Sequence, residues 1–339
     1  MTCDQPAAIL LHMPESNGKA EYLVGVDLGG TKIYAGVFDM KLSLVGNAKF
    51  STKPQRGPEA VIERIGRCVR DAVDECDLTL KQVKAIGVGA PGVVDPESGK
   101  VLFAPNLNWK EVPLQKELQK DLDLPVFADN DCNLCTLAVH AHELHGKPRH
   151  LVGVFLGTGI GGGLIINGEP YGGASNAAGE IGHMILQTGG PKCSCGNEGC
   201  FEALASRSAI FRKIVAAVKQ GQKTVLTEAL GDDLKGLRSG DLRRAIRRGD
   251  KLVEGIVKEA AEYTGLAVAN LLNLLNPEVV ALGGGVIEAL EEEMLPTISK
   301  VAREHAMPGT GKGTTILAST LGDHAGIVGG AVLARRMTK

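Results

Sequence analysis

Residues 24–37 read VGVDLGGTKIYAGV and residues 152–165 read VGVFLGTGIGGGLI. Laid one over the other, they are a single construction: an apolar strand, a tip of glycine and threonine, and a second strand. A repeat sets the architecture before any motif inside it can be read. Two homologous α/β halves follow from it, each offering a glycine hairpin, with an interdomain cleft where a nucleotide phosphate chain would be gripped. Glycine lets the backbone come close to an anion, so that several N–H groups can converge on it. Two ordinary hairpins would use glycine for turn geometry alone. The duplication, the threonine in both tips and Lys32 in the first favour the binding role.

The second copy also holds a G-x-G-x-x-G at Gly157, Gly159 and Gly162. A dinucleotide fingerprint needs a helix after its glycines, so that a pyrophosphate rests on the helix N-terminus. Here LIING and the turn-forming GEPYGG follow, too short and too β-like to open one. Nothing reads G-x-x-x-x-G-K-[ST] ahead of a helix either, which excludes a Walker loop.

The chain has 339 residues, enough for about two domains with a core each. A formal net charge of −2 without a basic block argues against nucleic acid as a partner. The strongest basic run, DLRRAIRRGDK at 241–251, has the spacing of an exposed, solvated helix face. No segment approaches the ~20 apolar residues of a membrane span, so no membrane partner is expected. The start, MTCDQPAAILLHMPESNGK, lacks a basic residue ahead of its apolar patch and a clear cleavage site. Residues 1–20 are therefore expected to be a disordered lead, and the protein cytoplasmic. In that compartment the eight cysteines do not suggest a disulfide framework.

Helical periodicity covers 58–76, KAIGVGAPGVVD reads as a strand with a glycine loop, and PLQKELQKDLD reads as a helix after Pro113. LPVFADND is a strand ending on polar groups, and CNLCTLAVHAHELHG is a helix. Residues 172–202 form a long irregular insertion of the kind that carries function. Helices fill about 203–275, and PEVVALGGGVI is a further strand with a glycine turn. The predicted organisation is a smaller α/β domain over 21–145, a larger one over 146–320, and a C-terminal helix in 321–339 packing back on the first domain.

Asp129, Asn130 and Asp131 end a strand at the carboxyl edge of a sheet, where α/β folds bind ligands. Phosphoryl transfer to an alcohol needs a carboxylate that holds the hydroxyl and takes its proton. Helix capping would also use Asn or Asp here, but three in a row exceed that need. In the insertion, His183, Cys193, Cys195 and Cys200 have the stoichiometry of a closed structural zinc site, and Gly196 and Gly199 supply the turn to wrap a metal. Cys132 and Cys135, one turn apart on an apolar helix, read as core thiols.

From about Tyr22 to its C-terminus the chain resembles the ROK family, bacterial sugar kinases and related repressors of the actin/hexokinase/Hsp70 ATPase fold. D-L-G-G-T-K, A-P-G-V-V-D, N-D-C-N, G-T-G-I-G-G-G, G-E-I-G-H and C-x-C-G-x-x-G-C-x-E carry the resemblance. It implies that Asp131 is the catalytic base and that Asn130 is a sugar ligand beside it. Glu180, His183 and Glu202 would hold sugar hydroxyls, with His183 also a zinc ligand, and Gly92 and Asn106 would line the same pocket. Gly29, Gly30, Thr31 and Lys32, with Gly157, Thr158 and Gly159, would be the ATP phosphate loops. Gly283 and Gly284 would lie on the adenosine side, and Asp27 would approach Mg2+ through water.

The expected activity is an ATP-dependent hexose kinase acting on the 6-hydroxyl of glucose, with a structural Zn2+ and a homo-oligomer, dimer or tetramer, as the assembly. N-acetylglucosamine, N-acetylmannosamine, mannose, fructose and allose are alternative substrates, and polyphosphate an alternative donor. A sugar-responsive repressor would carry a helix-turn-helix module first, and only about twenty residues precede the first strand here. Zinc loss, as by Cys195→Ser, is expected to weaken sugar binding while nucleotide binding stays near normal.

Overall fold

The computed structural model describes residues 21–339, so the expected disordered lead lies outside the described residues. Tyr22–Leu28 (β1) and Lys32–Phe38 (β2) form the first hairpin, with Asp27 opposite Tyr34. Both strands are buried almost throughout, which is why they read as apolar runs and not as an alternation. Leu44–Ser51 (β3) adds an antiparallel edge. Pro58–Asp74 (α1) starts on a proline, whose missing N–H is no loss at a helix start, and packs Val61, Ile65, Val69 and Ala72 into the core. Val83–Ala90 (β4) runs parallel to β1. Val93–Asp95 (β5), Lys100–Ala104 (β6) and Trp109–Val112 (β7) make a small separate sheet that the sequence reading did not foresee. Leu114–Leu122 (α2) leads into Val126–Asn130 (β8), parallel to β4. Asp131–Ala138 (α3) follows at once, and at Val139–Glu143 it widens into a π-helical turn where an unbroken helix was predicted.

Leu151–Leu156 (β9) and Ile160–Ile166 (β10) are the second hairpin, with Glu169–Pro170 (β11) at its edge. Helices Phe201–Ala205 (α4), Arg207–Lys219 (α5), Leu226–Leu230 (α6), Ser239–Arg247 (α7) and Lys251–Leu275 (α8) come next. The basic run at 241–251 falls largely on α7, where Arg244, Arg247 and Arg248 pair with Asp241, Glu292 and Glu228. Val279–Gly283 (β12) is parallel to β9, then Gly285–His305 (α9) precedes Thr315–Ala318 (β13), parallel to β12. Ala325–Met337 (α10) ends the chain.

The two large sheets have the orders β3-β2-β1-β4-β8 and β11-β10-β9-β12-β13. In each, the first strand of the glycine hairpin pairs antiparallel with its partner on one side and parallel on the other. The duplication seen in two short stretches is therefore a duplication of whole sheets.

The chain divides into two compact units, each with its own core. The first runs to His145 and takes in Gly172–Ala178 and His324–Lys339; the second is Gly146–Tyr171 and Gly179–Asp323. Two details differ from the boundaries read in the sequence. Gly172–Ala178 joins the first unit, where Asn176 donates to Asp95 at 3.3 Å. Leu321, Gly322 and Asp323 stay with the second, with Gly322 against the Glu288 carboxylate of α9.

Candidate functional site

In the first unit the tip between β1 and β2 is closed by Gly29 N–H donating to the Lys32 carbonyl at 2.8 Å. Thr52, which the sequence reading did not single out, donates its hydroxyl to Gly29 O at 2.7 Å and its N–H to Thr31 O at 2.9 Å. Asn106 lies against Gly30: a Cβ on that glycine would sit 3.7 Å from its side chain. Lys32 Nζ lies 5.4 Å above the Tyr34 ring, with Lys49 Nζ at 4.1 Å from the same ring.

Asn130 is the N-cap of α3. Its Oδ1 accepts from Cys132 N–H at 2.8 Å and Asn133 N–H at 3.1 Å, and its Nδ2 donates to Gly92 O at 2.9 Å. An amide has two acceptor lone pairs and two donor hydrogens, so these three bonds leave one N–H for a further acceptor. Gly92 must be glycine, with φ at +86° and a Cβ position 2.1 Å from Phe103 O. Asp131 stands at the first position of α3, where a helix favours a carboxylate, and its Oδ1 accepts from Cys132 N–H at 2.8 Å. Asp129 turns inward: its Oδ1 accepts from Asn130 N–H at 2.6 Å and Asn133 Nδ2 at 3.0 Å. Cys132 and Cys135, read from the sequence as core thiols, are each half-buried. The Cys135 thiol is held well above its ordinary value, first by desolvation and then by the charges of Asp27 and Asp131. The expectation of core thiols came from an apolar helix, whose buried side carries Leu134 and Leu137.

In the second unit the hairpin tip closes with Gly157 N–H donating to Gly159 O at 2.9 Å. The start of α5 holds the tip from outside. Arg207 N–H donates to Gly157 O at 3.0 Å, Ser208 Oγ donates to Thr158 O at 2.8 Å, and the Arg207 guanidinium donates to Thr158 Oγ1. Arg207 escaped the sequence reading, although Ser206 before it is a recognisable cap whose Oγ accepts from Ala209 N–H at 3.2 Å. Gly283 and Gly284 adjoin the same hairpin, where Cβ atoms would come within 2.7 Å of the Phe155 ring and 2.6 Å of Leu156 O.

The four metal-ligand candidates converge. One ligand atom from each of His183, Cys193, Cys195 and Cys200 lies within 4.8 Å of the other three. The His183 Nδ1–Cys193 Sγ distance is 3.6 Å and the Cys195–Cys200 Sγ distance 3.7 Å. A tetrahedron with metal–sulfur bonds of about 2.3 Å has edges of about 3.8 Å. These separations and this soft donor set therefore fit zinc. The loop is tied by Cys193 N–H to Asn197 O at 2.8 Å and by bridges between Lys192 and Glu198 and between Ile185 and Cys200. Burial first of all pushes the Cys200 thiol up to about 12, while the Asn197 N–H chiefly lowers that of Cys195.

His183 uses its two ring nitrogens on different partners, with Nδ1 toward the thiols and Nε2 4.0 Å from the Glu180 carboxylate. Glu202 lies between the cysteine loop and the hairpin: its Oε1 accepts from Ser194 Oγ at 3.1 Å and its Oε2 from Ile160 N–H at 2.9 Å. Asp27, Gly30, Gly92, Asn106, Asn130 and Asp131 thus belong to the first unit, and Gly157, Thr158, Gly159, Glu180, His183 and Glu202 to the second.

The profile of the ROK family matches residues 23–337, nearly the whole chain. The chain belongs to the ROK family. It is 32% identical over 317 residues to the glucokinase of Halalkalibacterium halodurans, covering 93% of this chain and 95% of that one. It is also 32% identical over 261 residues to the xylose repressor of Caldicellulosiruptor bescii, covering 77% of this chain and 65% of the repressor. A crystal structure of a ROK family glucokinase from Streptomyces griseus, in complex with glucose and AMPPNP, superposes with a TM-score of 0.82 at 32% identity, covering 93% and 99% of the two chains. The fold is accordingly the two-part ATPase architecture of ROK kinases. Among the described residues no helix is long and apolar enough to cross a membrane.

Proposed function

We propose that this ROK protein is an ATP-dependent hexose kinase that phosphorylates the 6-hydroxyl of glucose. The observation that carries the reading is its likeness over 93% of its length to a ROK glucokinase holding glucose and an ATP analogue. In the first unit Asp131 would accept the proton of the 6-hydroxyl as its oxygen bonds the γ-phosphorus and ADP departs. Asn130 would orient the same sugar with its remaining N–H, and Gly92 and Asn106 would line its place. The tip at Gly29, Gly30, Thr31 and Lys32 would meet phosphate oxygens, as would Gly157, Thr158 and Gly159, with Gly283 and Gly284 toward the adenosine.

Glu180, His183 and Glu202 would accept or share hydrogen bonds with sugar hydroxyls. Magnesium takes hard oxygen ligands, and Asp27, a carboxylate at the end of β1 beside the glycine tip, is the group that would approach it. Zinc at His183, Cys193, Cys195 and Cys200 would have four protein ligands and no open position, so its contribution is to hold the loop.

The test is a coupled ADP-release assay over glucose, mannose, fructose, allose, N-acetylglucosamine and N-acetylmannosamine, with ATP or polyphosphate as donor. Glucose-dependent release with ATP is expected. Asp131→Asn should lower turnover about 10²–10⁴-fold or more while calorimetry still detects glucose binding. A second reading has support in the xylose repressor relative. A repressor would bind sugar with no turnover on any member of the panel, and that outcome would replace the kinase.

A further inference from the structure

Glu202 stands in the first turn of α4, two residues after Cys200, and its two carboxylate oxygens serve two different loops. Oε2 accepts the N–H of Ile160, the residue that follows the second glycine tip, at 2.9 Å. Oε1 accepts the hydroxyl of Ser194, which lies between two of the cysteines, at 3.1 Å, with Cys193 Sγ at 3.9 Å. The approach to the tip is close enough to exclude a side chain. A Cβ on Gly159 would lie 2.2 Å from Oε2, so glycine there admits the carboxylate as well as any phosphate. All the participants belong to the second unit.

We propose that Glu202 is a positioning residue for the second glycine hairpin, a strut that passes the order of the His183/Cys193/Cys195/Cys200 loop to the nucleotide-phosphate tip. The proposal rests on the kinase reading and deepens it. A hydrogen bond from a backbone N–H to a carboxylate is charge-assisted and roughly twice as strong as a neutral one. It holds the tip in one conformation before nucleotide arrives, and preorganisation is a direct gain in affinity. Removing metal should relax the loop, loosen Ser194 and Cys193, and free Glu202 from its double engagement. Metal loss should then weaken nucleotide binding even with no sugar present.

The experiment titrates AMPPNP, without sugar, into the holoprotein, the chelated protein, and the variants Glu202→Ala, Glu202→Gln and Ser194→Ala, with metal content measured on each. Glu202→Ala should raise the AMPPNP Kd about tenfold, Ser194→Ala about threefold, and chelation about as much as Glu202→Ala. Chelating Glu202→Ala should add little, because both changes act through one contact. Glu202→Gln, which keeps the shape, should fall between, since its amide can still meet Ile160 N–H and Ser194 Oγ but without the charge assistance of the carboxylate. Hydrogen exchange at Ile160 N–H gives a readout that needs no nucleotide, and protection there should drop about tenfold in Glu202→Ala. If the holoprotein binds no AMPPNP, the kinase reading falls and Ile160 exchange alone decides the strut. Unchanged exchange at Ile160, or an unchanged AMPPNP Kd in Glu202→Ala with nucleotide bound by the parent, overturns the proposal.

Discussion

Asp129 is a carboxylate that the fold takes out of water beside the residues proposed to bind sugar. Burial raises its pKa, offset in part by the hydrogen bonds from Asn133 and Asn130. The native state therefore keeps the Asp129 proton to higher pH than the unfolded chain does. The stability tied to that proton is fully present below the ordinary carboxylate value and is lost as pH rises through the raised native one. Asp129→Asn can still accept from both donors and cannot ionise. Its stability relative to the parent should rise from about pH 4 upward and level off above the native pKa, as read from urea unfolding at a series of pH values. A difference independent of pH would mean that the charge costs nothing there. Gly199 gives a second test at this scale. Its φ is +75° and a Cβ would fall 1.7 Å from Gln187 O. Gly199→Ala should therefore distort the cysteine loop, with metal per chain by elemental analysis falling by half or more while the first unit keeps its hydrogen-exchange protection.

The packing of α10 on β1, β4 and α3 is the contact between elements least visible in the sequence. GIVGGAVLARRM reads as a small-residue helix, and that much follows from composition. Which glycines need to be glycine follows only from the partner each meets. Gly25 and Gly87 are register partners on β1 and β4, and Cβ atoms on them would lie 1.7 Å from Ile327 O and 2.0 Å from Gly330 O. A Cβ on Gly329 would in turn lie 2.0 Å from Leu134 O. These are backbone contacts with no side chain to move aside, so overpacking here should cost about 3 kcal/mol, the upper part of the usual range. Gly87→Ala and Gly330→Ala should each lower the melting temperature by roughly 6–12 °C for a unit of this size. Exposed Gly255→Ala, inside α8 with open space around its Cβ position, should raise it slightly. The same limit explains the elements the reading left out. β5, β6 and β7 are too short to carry a period, and α9 hides its start in GGGVI, where glycines announce a turn and Gly284 turns out to be the cap of α9.

For the whole molecule, the two units have separate cores and all four candidate metal ligands lie in the second. A structural metal contributes its binding free energy to the folding of the unit that holds it. Chelation should lower the melting of the second unit, on the order of 5–10 °C, and leave the first nearly unchanged. Calorimetry combined with hydrogen exchange assigned to each unit would measure this. An equal loss of protection in both units would show that their stabilities are not separable.

Local chemistry and repetition were enough for much of this protein. Two copies of a glycine hairpin define a duplicated α/β fold, because strand period and turn residues are written in neighbouring positions. One histidine and three cysteines within eighteen residues mark a candidate metal loop for the same reason. The polar run at the end of β8 marked a candidate site, but not the division of labour inside it. Only the folded chain makes Asn130 a cap with one hydrogen to spare, turns Asp129 inward, and brings Arg207 to the second tip. The expectation that metal loss spares nucleotide binding also came from the sequence, where Ile160 and Glu202 stand 42 residues apart. The structure brings that N–H and that carboxylate to 2.9 Å, the contact on which the opposite proposal rests. Spacing along the chain carries no record of which distant backbone groups a side chain will meet, because that depends on how whole elements pack.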